Sequence, residues 1–194
     1  WVEEFKEVDK LPLVVVLDEV RSLHNIGAVF RTSDAFLVNC IYLCGITATP
    51  PHPEMHKTAL GAEYTVDWKY FKRTQDAVNE LHNDGYTVLA IEQCAGSTLL
   101  DELVLEKGRK YAIVLGNEVK GVQQEVVDMC DGCIEIPQLR ICHRGVYCRN
   151  PLPQCVDQLV NVYVLFFRQR QAGVFVDEKI PGRMECLFRI SQDV

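Results

Sequence analysis

Short apolar runs alternate along the first 136 residues with stretches in which apolar positions recur every three or four. Leu13–Leu17 (Leu-Val-Val-Val-Leu), Cys40–Cys44, Tyr86–Ile91, Tyr111–Leu115 and Cys133–Ile136 have the length of strands, and the first has the β-branched content of one covered on both faces. Tyr64–Trp68 reads as a further strand. Ile26, Val29, Phe30 and Phe36 to Val38 follow helical spacing from Asn25, a candidate cap. Thr74–His82 reads as a helix closed by Asp84-Gly85, and Gln123–Met129 as another. Thr47, Thr49, Pro50, Pro51 and Pro53 mark a loop too proline-rich for either regular element. Strands alternating with helices predict an α/β fold: a single domain, mostly parallel sheet with helices on both faces and right-handed crossovers. After Gln138 the pattern decays, and only Val156–Gln169 reads as helical.

Composition narrows the class. The length of 194 residues suits one well-buried domain. With 48% hydrophobic and 24% charged residues, no apolar run near the roughly 20 residues of a membrane span and no signal-peptide pattern, the expectation is a cytoplasmic protein without a membrane partner. The nine cysteines are scattered and read as reduced thiols. The chain opens at Trp1 rather than Met, so a truncated N-terminus is expected. A net charge of −7 argues against sequence-blind nucleic-acid binding. The charge is uneven: residues 1–138 carry −10 and residues 139–194 carry +3, with lysine giving way to arginine after Gln138.

The densest chemistry lies at 111–121, Tyr-Ala-Ile-Val-Leu-Gly-Asn-Glu-Val-Lys-Gly. A buried strand stops at Gly116 and delivers Asn117, Glu118 and Lys120 before Gly121. Polar groups just past the carboxyl end of an apolar strand are where open α/β sheets build binding sites. The bland reading is a tight strand-to-helix turn in which Glu118 favours the following helix N-terminus, and both readings can hold. The loop has the two glycines of a phosphate loop without its Gly-Lys-Ser/Thr ending, which argues against a Walker site.

Upstream, Asn25-Ile-Gly-Ala-Val-Phe-Arg31-Thr32 follows the first strand. Gly27 would allow close backbone approach by a ligand. Arg31 is either a surface arginine with a snorkelling stem or a phosphate clamp. Glu92-Gln93 is a third polar pair at a strand exit. Cys130-Asp-Gly-Cys133 lacks a second pair at matched spacing, so no metal is expected.

Together these segments resemble the SpoU-type RNA ribose 2′-O-methyltransferases of the SPOUT superfamily, over roughly residues 13–138. The first motif of that family reads here as Asn25 to Thr32, the second as Leu115-Gly-Asn-Glu118 through Gly121 and then Ile134-Glu-Ile-Pro137. The resemblance implies S-adenosylmethionine as methyl donor, a deep trefoil knot, an obligate homodimer and an RNA substrate, tRNA or rRNA. It implies catalytic roles for Asn25, Arg31 and Glu118, and cofactor contacts from backbone near Glu92, Leu115, Gly116, Ile136 and Gln138. RNA contact would be local, through Arg31, Lys57, Lys120 and neighbouring loops.

The third motif of the family, a Ser-Leu-Asn-Val-Ser run soon after Pro137, is missing. The nearest echo, Leu159-Val-Asn161-Val162-Tyr163, lacks both serines and sits too far downstream. A permissible coding of Pro151–Val156, read one nucleotide later, contains Ser-Leu-Asn-Val-Ser. The sequence therefore predicts a methyltransferase core at 1–138 and a divergent tail at 139–194, translated wholly or partly out of frame. The competing functions are a non-catalytic or inactivated RNA- or cofactor-binding module with this fold, and an unrelated doubly wound domain. The lack of a Gly-x-Gly-x-x-Gly turn makes a dinucleotide partner a poor fit for the latter.

Overall fold

The apolar runs become a single seven-stranded sheet in the structure, a computed structural model that describes residues 8–136. In chain order the elements are β1 (Leu11–Asp18), α1 (Leu23–Ala35), β2 (Val38–Cys44), α2 (Pro53–Ala59), a 3-10 turn (Ala62–Tyr64), β3 (Trp68–Phe71), α3 (Thr74–Asn83), β4 (Tyr86–Ile91), β5 (Thr98–Leu99), a second 3-10 turn (Leu100–Glu102), β6 (Lys110–Leu115), α4 (Gln124–Val127) and β7 (Gly132–Glu135). The sheet order is β3-β2-β1-β6-β4-β7-β5, and every pairing is parallel.

Period-two alternation sends each strand to two apolar layers. On one face Leu13, Val15 and Leu17 pack with Ile26, Val29 and Phe30 of α1 and Met55 of α2. On the other, Val14 and Val16 meet Ala77, Val78 and Leu81 of α3 and Val126 of α4. Burial on both faces explains why β1 and β6 read as unbroken apolar runs. The short edge strand β3 exposes Lys69 and Tyr70, a common way to discourage further strand pairing.

Several local expectations are corrected. Ser22, not Asn25, caps α1, its hydroxyl accepting from Asn25 N–H at 3.2 Å. The helix ends at Ala35 because Leu37 turns into the left-handed region (φ 55°) and frees Val38 to begin β2. Pro53 does not prolong a loop; it opens α2, where its missing N–H costs nothing, behind His52 as cap. In the stretch Tyr64–Trp68, Tyr64 ends a 3-10 turn, residues 65–67 connect, and the strand starts only at Trp68. The last α helix covers only Gln124–Val127, since Met129 and Cys130 N–H groups bond three residues back. β5 is two residues long and left no periodic signal. The expected helix at Val156–Gln169, the proposed frame change and the segment that would close a knot lie outside the described residues.

The order of connection positions the site. The chain lays down β1, β2 and β3 in one direction and then crosses to β4, leaving β6 to fill the place between β1 and β4. The strand order reverses between β1 and β6, and such a switch point opens a crevice at the carboxyl ends.

Candidate active site

Four side chains converge where β1, β4 and β6 end. Past Leu115 the backbone folds back on itself: Asn117 and Gly121 exchange hydrogen bonds of 3.0 and 2.9 Å. The Asn117 side-chain oxygen accepts from Val119 N–H (3.0 Å) and Lys120 N–H (3.2 Å), an Asx turn that fixes the tip. Gly116 is required sterically, because a Cβ there would lie 2.1 Å from Val122 N. Gly121 has φ 74°, and a Cβ would sit 2.1 Å from a Glu92 carboxylate oxygen.

Three carboxylates and one amide tie this loop to its neighbours. Glu92 accepts from Val122 N–H at 3.0 Å. Asn117 Nδ2 donates to the Glu19 carbonyl at 2.7 Å, holding Glu19 in the left-handed conformation (φ 57°) that turns the chain out of β1. Glu118 accepts from Arg21 N–H (3.2 Å), Ser22 N–H (3.0 Å) and Asn25 Nδ2 (3.1 Å). Asp18, fully buried, accepts from Thr74 Oγ1 (2.5 Å), Gln123 N–H (2.8 Å) and Gln123 Nε2 (2.6 Å).

Glu118 therefore faces a helix N-terminus, but that of α1 rather than the helix that follows it, where unpaired N–H groups and the dipole favour a carboxylate. Its link to Asn25 joins segments 93 residues apart. Arg31 is not brought to the same point. It lies exposed six residues further along α1, about 240° around the axis. There it borders a groove of about 300 Å³ with Asp34, Ala59, Leu60, Gly61, Ala62 and Thr65. Gly27 does not receive a ligand: a Cβ there would lie 2.4 Å from the Met55 carbonyl, so its role is the close crossing of α1 and α2.

The cofactor candidates sit on adjacent strands. Leu115 ends β6 and Gly116 follows it, Glu92 follows β4, and Ile136 follows β7, with Glu92 N–H bonded to the Ile134 carbonyl at 3.1 Å. Gln138 lies outside the described residues. This half of the carboxyl rim is acidic and amide-lined. Gln93 Nε2 and Ser97 Oγ donate to the Glu135 carboxylate at 2.8 and 2.9 Å, Asp101 and Glu102 follow β5, and residues 92–106 contain no lysine or arginine. A donor carrying a sulfonium cation fits such a lining, and the loop backbones offer N–H and C=O groups for its polar ends.

Among the described residues no three His, Cys, Asp or Glu side chains are grouped to hold a metal ion. Cys130 and Cys133 do not supply thiolates. Burial pushes each thiol up to about 12, with the Cys94 thiol adding to the effect at Cys133. A larger concavity, about 640 Å³, opens at the opposite, amino edge of the sheet between Asn39, Asp67, Trp68 and Tyr86. It is no rival site, because its Lys69 is bonded to Glu80 and its Tyr86 hydroxyl to Asn39.

Sequence reading missed Asp18, Ser22 and Gln123. Asp18 left a usable signal, a carboxylate directly after an apolar strand run, the same signature that singled out Glu92.

A parallel α/β sheet with loops gathered at a carboxyl-edge switch point defines a ligand-binding α/β protein. The family can be stated more closely: residues 12–142 match the SpoU rRNA methylase family, and the chain belongs to it. A Staphylococcus aureus protein assigned to the TrmH family of tRNA/rRNA methyltransferases is 28% identical over 173 residues, covering 89% of this chain and 66% of that protein. The chain thus spans slightly under two thirds of the length of that curated relative. Among solved structures, the A. aeolicus TrmH/SpoU tRNA modifying enzyme is similar with a TM-score of 0.71 and 22% identity, over 100% of this chain and 94% of that one. The SpoU methyltransferase AviRb of Streptomyces viridochromogenes, crystallised in complex with AdoMet, is similar with a TM-score of 0.66 and 18% identity, over 86% of this chain and 63% of that one.

Proposed function

We propose that this chain is an S-adenosylmethionine-dependent methyltransferase acting on a ribose 2′-hydroxyl of tRNA or rRNA. The observation that carries the reading is the Asn25–Glu118 contact, which joins the two family motifs at the carboxyl rim. The acidic half-rim at β4, β7 and β5 supports it, since it suits a cationic donor.

When bound, the cofactor supplies an electrophilic methyl group on a cationic sulfur. The loops at Glu92, Leu115–Gly116 and Ile136 would hold it, with Gln138 completing that wall. Asn117, Gly121 and the Glu92 carboxylate keep these loops rigid, so binding needs little reorganisation. Glu118 acts through position. All its hydrogen bonds are spent on α1, so it sets Asn25 and the helix start rather than exchanging a proton with substrate. A guanidinium offers only hydrogen-bond donors, so Arg31 serves as a phosphate clamp, not a base. It orients the phosphate beside the target ribose, and the 2′-hydroxyl proton passes to that phosphate or to water. Catalysis then rests on in-line positioning and electrostatics.

Arg31 faces away from the cofactor loops of its own chain, so the reading includes a homodimer in which each copy completes the site of the other. Arg31→Ala is expected to abolish methyl transfer while leaving S-adenosylmethionine binding, measured by calorimetry, within about twofold of the parent. Near-normal turnover in that variant would exclude the assignment. The missing third motif favours a second reading, a non-catalytic module. It predicts cofactor binding with no labelled methyl transfer to bulk tRNA or rRNA.

A further inference from the structure

Residues 8–136 carry 19 acidic side chains against 11 basic ones, yet the basic ones are sorted by place. Toward the amino edge of the sheet all but Lys107 have local partners. Lys10 pairs with Asp67 (3.7 Å), Lys69 with Glu80 (2.7 Å) and Arg109 with Glu106 (2.7 Å), while Lys110 lies over the Tyr86 ring at 5.4 Å. Lys57 is likewise bound to Glu54 (2.7 Å) on α2.

The carboxyl edge is the reverse. Lys120 after β6, Arg21 after β1, and Lys72 and Arg73 after β3 are all exposed, and their side chains make no ion pair or hydrogen bond among the described residues. Three carboxylates of the same edge, Asp18, Glu118 and Glu92, turn inward and accept from the protein itself, while Glu19, Asp76 and Glu125 stay nearer the surface. Between these cations the exposed apolar side chains Ile46 and Val119 face solvent. From β6 to β3 is three inter-strand spacings, roughly 15 Å. The unpaired cations of the rim therefore all lie over β6, β1 and β3, beside the acidic lining of β4, β7 and β5.

Of six cations without a side-chain partner among the described residues, four gather at this edge, with Arg31 on α1 and Lys107 off the rim, which matches a polyanion that approaches this edge. We infer that the RNA strand crosses the carboxyl rim from β3 to β6, its phosphates on Lys72, Arg73, Arg21 and Lys120, and so delivers the target ribose to the acidic half that holds the donor. This path rests on the RNA methyltransferase reading. It adds to Arg31 a second set of phosphate contacts and accounts for local RNA binding by a protein of net negative charge.

The test compares the full chain with the Lys72→Gln/Arg73→Gln double variant and with Lys107→Gln, an exposed lysine off the rim. Probes are a fluorescent single-stranded oligoribonucleotide and unfractionated tRNA across a salt series. S-adenosylmethionine titration and thermal midpoint serve as controls. The rim variant should bind RNA at least about tenfold more weakly, and its slope of log affinity against log salt should fall by about 1.4, roughly 0.7 per lost phosphate contact on a single strand. Cofactor affinity and Lys107→Gln should match the parent. Parent-like RNA affinity and slope in the rim variant, or an equal loss in Lys107→Gln, overturns the path alone. A parent chain that binds neither RNA and transfers no methyl group overturns the path together with the reading beneath it.

Discussion

Asp18 offers the sharpest energetic test of how the carboxyl rim is held. Its carboxylate is fully buried, has no cationic partner among the described residues, and is satisfied only by Thr74 Oγ1, Gln123 Nε2 and Gln123 N–H. Asp18→Asn keeps the shape and one oxygen, which can retain the two bonds made at Oδ1. Its amide nitrogen would then face the Gln123 N–H, donor against donor. Hydrogen bonds to charged groups contribute about 1.5–3 kcal/mol, and a stranded buried donor costs about 1–3 kcal/mol. The expected loss is about 2–3 kcal/mol, or roughly 4–12 °C in thermal midpoint for a chain of this size. Asp18→Ala strands all three donors and should lose more, about 3–5 kcal/mol. Urea and thermal unfolding followed by circular dichroism give both values, and hydrogen exchange at the Gln123 amide should accelerate in each variant. An Asp18→Asn protein melting within 1 °C of the parent, or less stable than Asp18→Ala, would show that these three hydrogen bonds do not hold the rim.

Three further outcomes follow from the same contacts. Gly27→Ala gains helix propensity of up to about 1 kcal/mol but drives a methyl into the Met55 carbonyl and Thr58 Oγ1, so a net loss of about 1–3 kcal/mol is expected in urea unfolding. Glu118→Gln replaces a carboxylate that accepts three hydrogen bonds at the start of α1; the loss should be about 1–2 kcal/mol, with faster exchange at the Ser22 amide as the specific readout. Burial raises the Cys44 thiol from 9.0 to about 12, favouring its neutral form in the fold. That stability is intact below about pH 9 and declines as pH rises toward 12, by up to about 1.4 kcal/mol per pH unit, because the unfolded thiol ionises first. Stability of Cys44→Ala measured from pH 8 to 11 should fall less steeply than that of the parent.

Strand positions were legible because burial on both faces leaves an unmistakable mark: Leu13–Leu17 and Tyr111–Leu115 could hardly be anything else. Helix ends were less so. Asn25 and Ser22 are both good capping residues, and only the Glu118 contact, supplied from 93 residues away, decides that Ser22 caps while Asn25 turns inward. Pro53 shows the limit of reading proline as a breaker, since the same missing N–H that ends a helix also suits its first residue. Among candidate residues, the placement of Glu92, Gly116 and Glu118 at strand exits was legible because polar or glycine positions abruptly follow apolar strands. The inward use of Glu118 and the outward display of Arg31 were not legible, because they depend on how far α1 rotates between them. The sorting of paired and unpaired cations was equally hidden, since Lys69 and Lys72 differ only in which edge of the sheet each reaches.

One product decides whether this chain methylates a ribose 2′-hydroxyl. The full chain is incubated with S-adenosylmethionine carrying an isotopically labelled methyl group and with unmodified total RNA, which is then digested to nucleosides and resolved by mass spectrometry. Label in a 2′-O-methylated ribonucleoside, lost in Arg31→Ala, is the predicted result. Label on a base, or none despite calorimetric binding of the cofactor, would contradict it.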